Sequence, residues 1–114
     1  MDRLKRVRRR LRELELLRRS REVLGRQLAV APPEYRRQLQ RLLHRTQVKV
    51  QMTEAALGIL SPQERLVVEL LDIRPGKGNA DRLCQILQVE PATVYRRREQ
   101  AERKLARVIF GEGG

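Results

Sequence analysis

The chain has little of what builds a large core or a reactive centre. Only Tyr35, Tyr95 and Phe110 are aromatic among its 114 residues, and Trp is absent. The apolar residues are mostly Leu and Val with charges between them, a composition that fits long amphipathic helices better than a large fitted core. The single Cys84 excludes an intrachain disulfide and is expected in the core, while His44, the only histidine, cannot form a metal site alone.

Long apolar runs and catalytic motifs are also missing. No stretch approaches the roughly 18 apolar residues of a membrane span, and the basic segment 1–12 is not followed by the apolar run of a signal peptide. No nucleophile and base share a catalytic spacing, and segment 74–78 lacks the Gly-Lys-Ser/Thr pattern of a phosphate loop. We therefore expect a cytoplasmic protein that is not an enzyme and holds no cofactor or metal.

Positive charge is what the chain has in excess. Lys and Arg number 26 against 14 acidic residues, a net charge of +12, and 22 of the 26 are Arg. Residues 61–90 carry four basic and five acidic groups, whereas residues 91–107 carry six basic and two acidic groups. A basic element on a near-neutral scaffold indicates contact with nucleic-acid phosphates. The alternative is a solvated helix face on which residues 96–98 pair with Glu99 and Glu102.

Apolar spacing predicts two long helices in the N-terminal half, over residues 2–29 and residues 34–60. The first carries Leu4, Val7, Leu11 and Leu14 at spacings of three and four residues, followed by Leu17, Leu24 and Leu28 on a stripe shifted by one step. The expected apolar contacts of the second are Tyr35, Leu39, Leu42, Leu43, Val50, Leu57 and Leu60. Pro32 and Pro33 separate the helices. Because such a hairpin is too long and thin to bury both stripes, we expect a homodimer through residues 1–60.

Local signals then predict three shorter helices. Ser61, Pro62 and Glu64 form the pattern of a capping box, which starts a helix to about Asp72 with Leu66, Val67, Leu70 and Leu71 buried. After the loop 74–78, Asn79 is expected to cap a helix to about Leu87, with Leu83, Ile86 and Leu87 inward. Pro91 opens a last helix to about Phe110, and segment 111–114 is expected to be a flexible tail.

The segment 79–98 has the layout of a helix-turn-helix. The side chains expected to face inward are those of Leu83, Leu87, Val89 and Val94. Cys84 is expected where the two helices approach each other, and Leu105 and Val108 are expected to extend this packing. The predicted DNA-binding residues are the outward ones of the second helix, with two flanking cations: Ala92, Thr93, Tyr95, Arg96, Arg97, Arg98, Lys77 and Arg82. The fold class expected is all-α, with a helical hairpin or coiled coil (1–60) before the DNA-binding module (61–110).

From Leu60-Ser61-Pro62-Gln63-Glu64-Arg65 to Lys104-Leu105, the chain resembles the C-terminal promoter-recognition region (region four) of bacterial sigma factors. The resemblance also rests on Leu83, Leu87, Val89, Val94 and Ala101. It departs at Gln88, where glycine is usual, at Arg97, where an aliphatic residue is common, and at Glu102, where leucine is common. No second promoter-recognition region or polymerase-binding helix pair is recognisable upstream.

In size and layout the chain is similar to phage late transcription regulators of the RinA and ArpU type. That similarity implies a phage-encoded, sequence-specific regulator at the nucleoid of the host cytoplasm, with RNA polymerase as a further partner.

Other functions remain open. A phage terminase small subunit, which recognises DNA for packaging, also combines a helix-turn-helix with coiled-coil parts. The cations of the first helix could add nonspecific phosphate contacts, bind RNA, or lie on a membrane. These cations are Arg3, Lys5, Arg6, Arg8, Arg9, Arg10 and Arg12. The leucine stripe of the same helix is better explained by packing than by lipid.

Overall fold

The structure, a computed structural model, describes residues 2–111, and every regular element in that range is helical. The helices are α1 (Arg3–Val30), α2 (Pro33–Leu57), α3 (Pro62–Val68), α4 (Asn79–Leu87) and α5 (Pro91–Phe110); α3 continues directly into a π-helical turn, Glu69–Ile73. The all-α fold class, with long N-terminal helices before shorter ones, is confirmed. Of the predicted flexible tail, residues 112–114 lie outside the described part.

Local caps explain where the helices begin and end. The Asp2 side chain accepts a hydrogen bond from the Leu4 amide at 2.9 Å, which caps α1. The capping box is confirmed, because the Glu64 amide donates to Ser61 Oγ at 3.2 Å and the Ser61 amide donates to Glu64 Oε1 at 2.9 Å. The predicted end of α2 at Leu60 is wrong. That helix ends at Leu57, since the chain turns at Gly58 to reach the extended backbone of Ser61.

Asn79 does not cap α4, contrary to the sequence-based expectation. The cap position is Gly78, whose φ of 82° is left-handed and suits glycine. The Asn79 side chain is buried instead, and its Nδ2 donates to the carbonyls of Leu70 at 2.8 Å and Arg74 at 3.2 Å. Asn79 thereby ties the start of α4 to the π-helical turn across the loop.

The larger of two apolar clusters joins the N-terminal hairpin to α5. Its buried residues come from α1, the end of α2, Leu60, the end of α3, the π-helical turn and α5. They include Leu11, Leu14, Val50, Leu57, Val68, Ile73, Leu105 and Ile109. Leu105 is inward as predicted, but Val108 is 44% exposed and Ile109 is buried in its place. The core therefore continues across position 61, where the sequence suggested a module boundary.

The outer part of the hairpin adds no buried residue to this core, and only the half-buried Leu17 packs against it. No residue from 15 to 49 is buried, and of the contacts predicted on α2, Tyr35 and Leu42 are exposed while Leu39 and Leu43 are half-buried. The hairpin makes the molecule elongated, with extents of 57 × 31 × 24 Å. Within residues 2–111, no helix combines the length and the apolar character needed to cross a membrane.

Candidate nucleic-acid interface

The second apolar cluster assembles a three-helix unit around α4 and α5. Val67 of α3, Leu83 of α4 and Val94 of α5 are fully buried together. The half-buried residues around them are Leu66, Leu70, Leu71, Cys84, Leu87 and Val89. The inward positions predicted for the helix-turn-helix thus meet in one cluster, with one exception. Ile86 is 55% exposed, because the buried stripe of α4 follows Leu83, Cys84 and Leu87 and leaves Ile86 on the other flank.

The connection between α4 and α5 is a three-residue turn with one left-handed position. Gln88 has φ 55° and ψ 48°, a conformation that favours glycine. The Val89 amide donates to the Cys84 carbonyl at 3.1 Å, which closes the end of α4. Glu90 is extended and Pro91 starts α5. The backbone of Gln88 explains why a glycine would suit this position.

Three of the predicted DNA-binding residues are exposed at the start of α5. Ala92, Tyr95 and Arg96 face solvent, and Thr93 beside them is half-buried. Their side of the helix is not the one that Val94 buries against α3 and α4. Among the described residues no acidic side chain pairs with Arg96. The start of α5 therefore presents a polar surface with one available cation on a rigidly packed helix.

Arg97 and Arg98 do not add free cations to this surface, because both side chains are engaged by other residues. Arg97 is half-buried, and its Nη1 donates to Gln63 Oε1 at 2.9 Å. The prediction that Arg98 faces outward is wrong: its side chain is only 19% exposed, and its Nε lies 3.0 Å from Asp72 Oδ1 and 3.2 Å from Glu102 Oε2. Because Asp72 and Glu102 are both buried, Arg98 is needed inside to balance their charge.

Arg98 belongs to a buried ionic cluster, which we define as Arg8, Asp72, Arg98 and Glu102. Glu102 is fully buried, and Arg8 of α1 holds its carboxylate at both oxygens, with Nε–Oε2 at 2.8 Å and Nη2–Oε1 at 3.0 Å. The cluster links α1, the π-helical turn and α5. It also explains how the fold tolerates an acidic residue at position 102, because its charge is paired with arginines from two helices.

The protonation of Glu102 is set by this burial. Desolvation raises the pKa of Glu102 to about 7, and the neighbouring Asp72 carboxyl acts in the same direction, while the hydrogen bond from Arg8 lowers it. The same hydrogen bond raises the pKa of Arg8. Asp72 Oδ2 is buried and accepts no hydrogen bond from any described residue. A proton on Glu102 would relieve the repulsion between the two carboxyl groups.

The cations of α1 divide into packed and exposed groups. The guanidinium groups of Arg6 and Arg10 lie 4.1 and 5.7 Å from the centre of the Phe110 ring, and Arg8 is held by Glu102. In contrast, Lys5, Arg9 and Arg12 are exposed. They border a shallow depression on α1 together with Glu13 and the edge of Arg8. We call Lys5, Arg9 and Arg12 the α1 basic face. Helical spacing by four and three residues already places the α1 basic face together, opposite the buried Leu11, whereas the partners of Arg6, Arg8 and Arg10 depend on tertiary contacts.

The remaining predicted contacts lie on other elements. Lys77 is exposed in the loop before α4, and Arg82 is exposed on α4, so the structure does not place them on the α5 surface itself. The described residues hold no group of His, Cys, Asp and Glu that could bind a metal ion. No family model, curated protein or solved structure matches this chain.

Proposed function

We propose that the chain is a sequence-specific DNA-binding regulator that inserts the start of α5 into the major groove. One observation carries the proposal: α5 follows a three-residue turn, buries Val94 against α3 and α4, and exposes Ala92, Tyr95 and Arg96 on the remaining sides. A helix held in this way can enter the groove without losing its fold. The local excess of positive charge in residues 91–107 supports the same surface.

Most residues at the start of α5 have a defined chemical role in this proposal. Arg96 forms no ion pair with a described residue. Its guanidinium group can therefore donate two hydrogen bonds to a guanine without breaking an ion pair. Thr93 and Ala92 can contact thymine methyl groups or adjacent phosphates. Arg97 can reach a phosphate after leaving Gln63, whereas Arg98 is excluded from the contact set because removing it would deprive two buried carboxylates of a partner. Lys77 and Arg82 are proposed as phosphate contacts beside α5.

We further propose that this regulation is transcriptional and of the sigma region-four type, with RNA polymerase as a candidate partner. The capping box before α3 and the α4–turn–α5 layout support the resemblance. Two of its three departures are tolerated locally, because Gln88 adopts the left-handed conformation and Glu102 is paired. A phage origin and a place at the nucleoid of the host cytoplasm are proposed from the similarity in size and layout to phage late transcription regulators.

The test is selection of bound sites from genomic fragments, followed by affinity measurements with Arg96→Ala. We expect Arg96→Ala to weaken binding to the selected site by about 1–3 kcal/mol and to relax preference at one base pair. Arg107→Ala is the matched control, since Arg107 is exposed near the other end of α5. Equal effects of both changes, or a selection without any preferred sequence, would contradict the proposal. Sites at packaging genes instead of promoters would favour the terminase function.

A further inference from the structure

A second stripe of uncharged residues runs along the exposed side of α1, apart from the leucines that the core uses. We call Leu16, Ser20, Val23, Gln27 and Val30 the seam. Leu16 is 64%, Val23 48% and Val30 82% exposed. The spacing of four, three, four and three residues is that of the core positions of a coiled coil. On a straight helix such a stripe drifts by only about 20° per heptad, so over these two heptads it stays on one side of α1, and slight supercoiling keeps it against another helix.

We propose that the seam pairs with the seam of a second copy of this chain, in parallel and in register. Leu16, Val23 and Val30 occupy the d positions of the heptad, and Ser20 and Gln27 occupy the a positions. In a parallel pair each of these residues meets its own copy, so no charge is brought into the contact. A polar residue at an a position lowers stability but specifies the register, which is the role of Gln27.

The charges beside the seam select the orientation. One flank carries an arginine at every seventh residue, Arg12, Arg19 and Arg26, and the other flank carries Leu17 and Leu24. In a parallel pair, a residue on the arginine flank of one helix lies beside the residue on the leucine flank of the other helix whose number is higher by five. Arg19 then lies beside Leu24 of the second copy and can cover it with its apolar stem. An antiparallel pair would set Arg19 against Arg26, which is repulsive.

The exposed apolar surface is large enough for a weak dimer. Tyr35 (56% exposed) and Leu42 (41% exposed) of α2 line one groove with Gln27 and Val30 of the seam, so the contact widens onto α2 near the hairpin tip. The apolar side chains of the seam and this groove expose roughly 500 Å² per chain, which gives on the order of 1,000 Å² for two copies, the lower limit of a specific interface. We therefore expect a dissociation constant in the micromolar range.

A parallel pair has a consequence for the whole molecule. The start of α1 packs against α5 through Arg8 and Glu102, so both copies would carry their helix-turn-helix units at the same end of the paired hairpins. The dimer itself does not depend on DNA binding. It goes beyond the proposed function, and it is tested without DNA.

The first experiment measures the oligomeric state of the full chain by sedimentation. We expect a monomer–dimer equilibrium in which Val23→Glu weakens dimerisation by about tenfold or more, since it places two carboxylates in an apolar contact. Val48→Glu on α2 is the matched control, because Val48 is also exposed (36%) but lies outside the seam. A monomer at about 100 μM, or equal effects of the two variants, would overturn the proposal, because a micromolar dimer forms well below that concentration.

The second experiment measures orientation in a Cys84→Ala background, which removes the only native thiol. With Val30→Cys as the single cysteine, a parallel pair brings the two introduced thiols together, and mild oxidation should give a covalent dimer. An antiparallel pair would set Val30 opposite Leu16. Crosslinking only in a mixture of the Leu16→Cys and Val30→Cys chains would therefore overturn the parallel arrangement, whatever the outcome of the DNA-binding experiments.

Discussion

At the scale of single residues, two positions carry unfavourable features that the fold tolerates. Gln88 adopts a left-handed backbone conformation without being glycine. Glu102 places a carboxyl group in the core beside Asp72. Each of them occupies the point where α5 is joined to another element: Gln88 in the turn after α4, and Glu102 against α1. Both features can be measured through stability.

Gln88→Gly should stabilise the protein. The left-handed backbone at Gln88 disfavours a residue with a β-carbon by about 1 kcal/mol, and glycine removes that penalty. The greater freedom of glycine in the unfolded chain offsets part of the gain, so we expect an increase of roughly 0.5–1 kcal/mol. Urea unfolding followed by circular dichroism measures it. Gln85→Gly on exposed α4 should destabilise, and a loss of stability in Gln88→Gly would show that the turn is not left-handed.

Glu102 should make stability fall as the pH rises towards neutrality. Burial raises the pKa of Glu102 to about 7 in the folded state. At pH values between the ordinary pKa of a glutamate and about 7, the folded chain therefore holds a proton on Glu102 that the unfolded chain has released. The stabilisation is complete below the ordinary pKa and is lost as the pH passes about 7. The lowered pKa of Glu15, caused by its hydrogen bond with Arg74, acts in the opposite direction and only at more acidic pH.

The corresponding measurement is urea unfolding at about pH 5 and about pH 7.5. Wild type should lose on the order of 1–3 kcal/mol between the two. Glu102→Gln should flatten this difference, since an amide resembles the protonated acid and can donate to Asp72 while accepting from Arg8. Glu99→Gln on the same helix, where Glu99 pairs with the exposed Arg103, should leave the difference unchanged. A pH dependence that survives in Glu102→Gln would assign it to another group.

At the scale of elements, α1 has three surfaces, of which the second and third follow one another along the side of the helix opposite the core. One buries Val7, Leu11 and Leu14 in the core, a second is the α1 basic face, and a third is the seam. The packed cations Arg6, Arg8 and Arg10 belong with the first surface, because they contact Phe110 and Glu102. The α1 basic face is therefore the part of this helix best placed to add phosphate contacts to those proposed for α5.

Replacing Lys5, Arg9 and Arg12 together by Gln should reduce the salt dependence of DNA binding. For every phosphate that these side chains neutralise, the replacement should lower the slope of log affinity against log salt by up to about 0.9, while the preference among DNA sequences stays constant. Titrations of the selected site at several salt concentrations measure this slope. An unchanged slope would show that the α1 basic face does not reach the duplex.

The matched control for this change is the triple replacement of Arg37, Arg41 and Arg45, which are exposed on α2. It removes the same charge from the hairpin and should alter the slope less. If single-stranded RNA bound more tightly than the selected duplex, and only the change on the α1 basic face abolished that binding, RNA would become the preferred ligand of α1.

At the scale of the whole molecule, the hairpin shares its core with the three-helix unit around α4 and α5. Residues 61–114 alone would expose Ala101, Leu105 and Ile109, which pack against α1 and α2, and would leave Glu102 without Arg8. We expect this fragment to lack a cooperative thermal transition, whereas the full chain has one. A fragment that melts cooperatively and retains the circular dichroism of α3 to α5 would show that the boundary at position 61 separates independent modules.

Much of the element-level structure could be predicted from sequence because its causes are local. Pro32 and Pro33, the capping box at Ser61, and Pro91 place helix ends through backbone sterics and hydrogen bonds between near neighbours. The three-residue turn and the inward Leu83 and Val94 follow from spacing alone. The exposed part of the candidate site, Ala92, Tyr95 and Arg96, follows from the same spacing.

The tertiary structure alone decided which charges are free to bind and which support the fold. Arg8 and Glu102 are 94 positions apart, and no periodicity records such a pairing, so Arg98 has the pattern of a surface cation until Asp72 and Glu102 are placed beside it. The same holds for apolar residues: periodicity identifies a stripe, but whether another helix covers it depends on packing. Leu11 is buried by that packing, whereas Val30 and Tyr35 are left exposed. Local sequence determined the helices, and long-range pairing determined their surfaces.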